Sequence, residues 1–154
     1  MTLTPEQFDR VLNLNNLHAK ETSFLEAADL TRLIERSYLT KSIGELDAFL
    51  ISISHKSPHD GINYSWFKRR FERFAYIDRV VTAEHARGKG HAKALYLALM
   101  EKAKADNIPM VCCEINHQPP NPGSVAFHEK LGFEMIDTAA LDETKTVGYW
   151  VRKF

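Results

Sequence analysis

Apolar residues recur along this chain with two different periods, and each change of period marks an element. Residues 27–36 place Leu30, Leu33 and Ile34 at helical spacing. Runs 38–43 and 45–54 read as strands around Gly44, which predicts a hairpin. Residues 57–63 collect Pro, Asp, Gly and Asn and predict a loop. In 64–74 the aromatics Tyr64, Phe67, Phe71 and Phe74 share one helical face, with Lys68, Arg69 and Arg73 off it. Strands at 76–82 and 110–115 then bracket a helix over 93–105. Asn121-Pro122 opens a further helix, because Asn caps well and Pro suits the first helical position. Gly132 ends it. Strands at 133–137 and 146–152 close the order. At the start, 8–14 alternates as a first strand, and Asn15-Asn16 turns the chain into a short helical stretch. The expectation is an α/β domain over 1–154, with a single mixed central sheet flanked by helices.

Composition narrows the class. Hydrophobic residues make up 44% and charged residues 26%, ordinary for a globular domain with a real core. Lys plus Arg equals Asp plus Glu, so bulk positive charge offers nothing to a polyanion, and no nucleic-acid partner is expected. No apolar run reaches the length of a membrane span, and the N-terminus lacks a basic, signal-like start. Cys112 and Cys113 are adjacent in a strand, so their side chains point to opposite faces and do not pair. No Cys/His spacing fits zinc. Together these features predict a reduced, cytoplasmic, metal-free protein with no membrane partner; a homodimer stays open.

The richest segment is Arg87-Gly88-Lys89-Gly90-His91-Ala92, between a predicted strand and a predicted helix. A glycine turn there exposes backbone N–H groups at the positive end of a helix dipole, which favours an anion such as a pyrophosphate. Glycine lets the backbone approach that anion closely, and Arg87 and Lys89 add charge. The spacing is neither an ATPase phosphate loop nor the three-glycine dinucleotide fingerprint.

This order of residues resembles the acetyl-CoA pyrophosphate loop of the GNAT superfamily of N-acyltransferases. Asn121-Pro-Gly-Ser124-Val-Ala-Phe127-His128-Glu-Lys-Leu131-Gly132-Phe133 resembles that superfamily's second signature. The resemblance runs from about Tyr76 to the C-terminus. It implies that the parallel strands 76–82 and 110–115 splay apart, with the cofactor's pantetheine arm in the gap. Backbone groups around Val80, Val81 and Thr82 would then bond the arm, and one N–H would polarise the thioester carbonyl, worth about 3 kcal/mol. Asn121, Ser124, Phe127 and His128 would contact the same arm. The implied activity is acetyl transfer from acetyl-CoA to a primary amine, on a small molecule or a peptide, by direct transfer and without metal. The competing reading is a non-catalytic CoA-binding sensor or interaction domain on the same fold.

Acyl transfer to an amine needs a base for the ammonium, whose pKa is near 10, and a donor for the departing thiolate. Glu114, a carboxylate in an apolar strand, is the first candidate base; its alternative is a structural pairing. Asp78 competes from the other splayed strand, where strict alternation puts it on the face of Tyr76, Val80 and Thr82, with Arg79 pointing away; its alternative is an ion pair beyond the site. His128 stands where the resembled signature usually carries a tyrosine that serves as acid. It is either a proton donor or a packed helix histidine bonded to backbone. A neighbouring Glu114 would raise its charged fraction. Tyr64 and Trp66, in the segment ahead of the first splayed strand, are candidate walls for the acceptor; the alternative is that both rings only seal the core.

Overall fold

In the computed structural model, which describes residues 3–154 apart from the Glu21 side chain, the chain opens with a helix and not with a strand. Helix α1 (Pro5–Leu17) contains the whole of 8–14. Local chemistry overrides the alternation: Thr4 and Gln7 cap each other's backbone N–H groups, and Pro5 fills the first turn. Val11, Leu14 and Asn15 are buried at helical spacing. The Asn pair lies in the last turn of α1 and ties down residues 23–25. Asn15 Nδ2 donates to the Ser23 carbonyl, and Asn16 exchanges two bonds with the Leu25 backbone. That fixes the short helix α2 (Ala19–Thr22) before α3 (Ala27–Glu35).

Among the described residues six strands form one sheet: β1 (Leu39–Ile43), β2 (Ala48–Ser54), β3 (Ala75–Thr82), β4 (Met110–Gln118), β5 (Glu134–Ala140) and β6 (Thr146–Lys153). Their spatial order is β1-β2-β3-β4-β6-β5. All neighbours are antiparallel except β3 and β4. The expected hairpin forms, as does helix α5 (His91–Ala105) between the parallel strands. Helix α6 (Pro122–Lys130) begins at Asn121, whose Oδ1 accepts the Ser124 N–H. The segment 64–74 is helical only at its start, in α4 (Ile62–Lys68).

Each face of the sheet carries its own core. α1, α3 and α4 cover one face with Leu30, Phe49, Ile51, Tyr64, Phe67, Tyr76 and Tyr149. α5 and α6 cover the other over Leu50, Ile77, Leu95, Leu99, Val111 and Trp150. Cys112 belongs to the first core and Cys113 to the second, both free, as alternation requires. Tyr64 and Trp66 lie inside the first core. Trp66 stacks on Tyr149 at 4.0 Å, and Tyr64 packs edge-on against Phe74 and Tyr76. The rings seal the core and do not wall a pocket.

Candidate active site

Strands β3 and β4 are bonded only at Ala75↔Val111 and Tyr76↔Cys112. Beyond that point they part, although β2 follows β3 to Thr82 and β6 follows β4 to Gln118. The facing edges therefore carry backbone N–H and C=O groups with no partner strand. A cleft of about 270 Å³ fills the gap and continues through the sheet from α6 to α2. It gathers Asp78, Val80, Glu114, Asn121, Ser124 and His128 from the sequence candidates. Val81 instead packs into the core, and Thr82 lines a second hollow at the start of α5.

That second hollow, of about 240 Å³, is formed by Arg87, Gly88, Gly90, His91, Ala92, Lys93 and Phe127. Gly88 and Gly90 have φ of +78° and +81°, a region that L side chains rarely adopt. No atom lies within 4 Å of where either Cβ would be. Gly90 caps α5 with no side chain bonded to the first-turn N–H groups, so these remain open to an anion. Lys89 is exposed beside them. An open helix start, a glycine turn and flanking cations suit a pyrophosphate, and the splayed gap continuing from it suits an extended arm.

Asp78 occupies a β-bulge. Ile51 pairs with Arg79 and Ser52 with Ile77, so Asp78 has no opposite residue. A bulge reverses alternation. Tyr76 and Val81 thus share one core while Ile77 and Val80 pack into the other. This corrects two expectations: Val80 is not on the face of Tyr76, and Arg79 does not point away from Asp78. Arg79 Nε donates to Asp78 Oδ2 at 2.8 Å, and its Nη1 reaches Asn15 Oδ1 at 2.9 Å. His59 Nε2 stands 3.3 Å from Asp78 Oδ1. Burial raises the Asp78 pKa, but the His59 bond and the Arg79 charge outweigh it and hold the carboxyl below its ordinary value.

Glu114 has no such cation. The Tyr76 hydroxyl donates to its Oε2 at 2.7 Å. Asn63 reaches it as well, oriented by the Tyr149 hydroxyl, which donates to Asn63 Oδ1 at 2.9 Å. Burial dominates, and the charge of Asp78 adds to it, so the Glu114 pKa is pushed up to about 7. The carboxyl changes charge where a general base is most useful.

His128 is buried, 5% exposed. Its Nδ1 lies 2.7 Å from the Ser124 carbonyl, which can only accept, so Nδ1 carries the proton. Nε2 then accepts the Tyr96 hydroxyl at 2.8 Å. Burial lowers the His128 pKa despite the Ser124 bond, so the neighbouring carboxylate does not raise its charged fraction. Both ring nitrogens are engaged, and the mobile proton beside the cleft is that of Tyr96. Sequence reasoning missed Tyr96, Tyr76, Asn63 and His59. For the tyrosines a signal existed: a hydroxyl inside an aliphatic helix face or strand must find a partner.

The sequence profile described as the Acetyltransferase (GNAT) family matches residues 30–133. The chain belongs to that family. It is an acetyl-CoA-dependent acyltransferase, and its sheet, with parallel β3 and β4 at the centre, matches solved structures of the family. An aminoglycoside 6'-N-acetyltransferase complexed with coenzyme A is similar at TM-score 0.75 and 13% identity, over 97% of this chain and 92% of that one. Arabidopsis thaliana NAA60 in complex with acetyl-CoA gives 0.73 and 13%, over 100% and 98%. The ribosomal-protein-S18-alanine N-acetyltransferase from Escherichia coli gives 0.69 and 13%, over 99% and 91%. At these identities the likeness is one of fold. Among curated proteins no sequence matches. Among the described residues no helix is long and apolar enough to cross a membrane, and no group of three His, Cys, Asp or Glu is placed to hold a metal ion.

Proposed function

We propose that this acetyltransferase moves the acetyl group of acetyl-CoA to a primary amine by direct attack of the amine on the thioester. One observation carries the reading: a carboxylate with a pKa of about 7 and a hydrogen-bonded phenol share the cleft between the splayed strands. Arg87, Gly88, Lys89, Gly90, His91 and Ala92 hold the pyrophosphate. Asn121, Ser124, Phe127 and the β3 edge from Val80 to Thr82 guide the arm. Ionised Glu114 takes a proton from the ammonium, positioned by Tyr76 and Asn63. The amine nitrogen bonds the carbonyl carbon, the C–S bond breaks, the nitrogen's second proton passes to solvent as the amide forms, and backbone donors on β3 stabilise the oxyanion by about 3 kcal/mol.

The thiolate leaves with a conjugate acid near pKa 8.5, so it needs a hydrogen bond more than a proton. Tyr96 supplies that bond by turning its hydroxyl from His128 Nε2 to the sulfur. His128 positions Tyr96 and is not itself the donor. Asp78, held ionised by Arg79 and His59, shapes the wall and the field. Direct transfer is supported by Cys113, the one thiol lining the cleft among the described residues: burial and Glu114 push its pKa well above normal, so a thiolate nucleophile is scarce. Two of the similar structures are named for amine acceptors, an aminoglycoside and a protein alanine, in keeping with an amine here.

The test is a screen of primary amines with thiol-release detection, run beside calorimetry of acetyl-CoA on the wild type and on Gly90→Glu. The reading expects acceptor-dependent thiol release, and lost affinity in the variant. Equal affinity in both proteins removes the loop from the site. Tight acetyl-CoA binding with no release to any amine favours the sensor reading.

A further inference from the structure

We propose that the end of the sheet remote from the cleft docks the phosphate backbone of a nucleic acid. The zero net charge of the chain conceals a separation of charge, because the fold collects cations at one end. The pairs Ser54↔Ala75, Ala75↔Val111 and Val111↔Arg152 run straight across β2, β3, β4 and β6. The connections at this line are the end of β2, the starts of β3 and β4, and the end of β6. Lys56 follows β2, and Lys68, Arg69, Arg70 and Arg73 precede β3. Lys102 and Lys104 close α5 ahead of β4, and Arg152 and Lys153 end β6.

Among the described residues the acids on these connections are Asp60, Glu72, Glu101 and Asp106. Two of them are already paired: Asp106 with Lys102 at 3.1 Å and Glu101 with Lys104 at 3.7 Å. Asp60 lines a different hollow beside α3. Lys56, Lys68, Arg69, Arg70, Arg73, Arg152 and Lys153 then outnumber Glu72 and, opposite Val151 at the start of β5, Glu134. Four strands span about 15 Å at ordinary spacing, so these charges share one compact face.

The face is shaped as well as charged. Two adjoining hollows of about 330 and 370 Å³ meet at His55, one lined by Lys68, Arg69 and Arg70 with Glu72, the other by Lys56 and Arg73 with Asp106, which Lys102 already pairs. The cations are held in place. Lys68 Nζ donates to the Ser57 carbonyl at 2.7 Å. Arg70 lies over the Trp66 ring at 3.9 Å and donates to the Trp66 carbonyl. Arg73 reaches the Asp106 carbonyl. His55 Nδ1 lies within hydrogen-bond distance of both the Phe74 N–H and the Phe74 carbonyl, which fixes the ring at the meeting of the hollows. At the margin the half-exposed Phe154 ring holds Lys104 and Arg152 over it, at 5.2 and 5.6 Å, and so keeps both cations on this face.

A lipid surface fits less well. None of the large exposed apolar side chains Leu17, Phe24, Ile62, Leu97, Met135 and Ile136 lines either hollow, so the cationic face itself offers a lipid no hydrophobic anchor beyond Phe154 at its margin. The cleft opens toward the carboxyl ends of β3 and β4. A strand held at their amino ends therefore leaves the active site open and tethers the enzyme.

The experiment measures polarisation of a short labelled single-stranded RNA, and of DNA of the same sequence, with the full chain and K56E/R69E/R73E. At about 50 mM salt the variant should bind at least tenfold more weakly. Its log–log salt slope should be shallower by about 2, since each neutralised phosphate adds roughly 0.7 to the slope on a single strand. Both backbones should bind, because the phosphates are the ligand. Saturating acetyl-CoA and the variant R87E/K89E should leave RNA binding unchanged. Melting temperature and acetyl-CoA affinity report folding. The single variant R69E, at an exposed side chain without a partner among the described residues, should weaken binding about threefold and stands in if the triple variant misfolds. Equal affinity for wild type and these variants overturns the proposal. So does loss of RNA binding on adding acetyl-CoA, which would place the RNA on the cofactor loop. Preference for phosphatidylserine vesicles or a polyglutamate peptide over RNA overturns it as well.

Discussion

Asp78 and Glu114 line one cleft from opposite walls, and their surroundings shift their pKa values in opposite directions. Both are half-buried carboxylates on neighbouring parallel strands. Asp78 sits in a bulge that turns Arg79 toward it and lets His59 close on its other oxygen, so it stays ionised. Glu114 has hydroxyl and amide partners and no cation, so burial prevails and its proton is held to about pH 7. Residue type alone does not select a base. One misplaced residue in the β3 ladder supplies a cation to one wall, and its absence leaves the other wall reactive.

The largest expected effect comes from removing the reactive wall. Glu114→Gln keeps the Tyr76 bond and the shape but cannot take a proton. Turnover should fall about 100- to 1000-fold, in the range of general-base contributions, with acetyl-CoA affinity unchanged in calorimetry. A loss under threefold would move the base to a water chain or to Asp78.

The structural wall should respond in stability. Asp78→Asn leaves the Arg79 guanidinium buried, its side chain only 8% exposed, without its counter-charge. Chemical denaturation at pH 7 should show a loss of about 3 kcal/mol, at the low end for a broken buried pair. The depressed Asp78 pKa means this stability is present above the unfolded value near 4 and fades as pH falls through the lower folded value. The gap between wild type and variant should therefore narrow in acid.

Glu114 predicts the reverse sign. Its folded pKa is raised, so below pH 4.5 both states hold the proton and the residue costs nothing. From there to about pH 7 the unfolded chain loses its proton first and stability declines, then levels. Glu114→Gln should match wild type at pH 4 and exceed it by about 2 kcal/mol at pH 8, less than the full shift implies because the cleft admits water. Equal stability at both pH values would mean that Glu114 is ionised like a surface carboxylate.

A smaller effect tests the pair opposite. Tyr96→Phe should lower turnover about tenfold and leave acetyl-CoA binding intact, while His128→Phe, which frees the Tyr96 hydroxyl, should cost less. A larger loss for His128→Phe would return the donor role to the imidazole.

Most of the C-terminal half was legible from sequence because its signals are local. A glycine turn before a helix, Asn-Pro at a helix start and Gly132 at an end each declare themselves within a few residues. The gathering of Glu114, His128 and Asp78 into one cleft was implied by the resemblance to the GNAT superfamily. The N-terminal half was harder. Residues 8–14 alternate by chance, and the Thr4–Gln7 capping box that decides for helix lies just upstream. The bulge at Asp78 was hidden because nothing local marks a register shift, and it reversed the faces assigned to Val80 and Arg79. Tyr64 and Trp66 read as pocket walls because aromatics serve both roles; only packing against Tyr149 and Phe74 assigns them to the core. The basic face escaped a net-charge argument because cations distant in sequence meet only across folded strands.

The most direct measurement is the pH dependence of kcat/KM for wild type and Glu114→Gln, on one amine acceptor. If Glu114 is the base, wild-type kcat/KM rises to a plateau with an inflection at about pH 7, and the variant loses that inflection while keeping the titration of the acceptor amine. An inflection near pH 7 that persists unchanged in Glu114→Gln would contradict the assignment of the β4 carboxylate as the catalytic base.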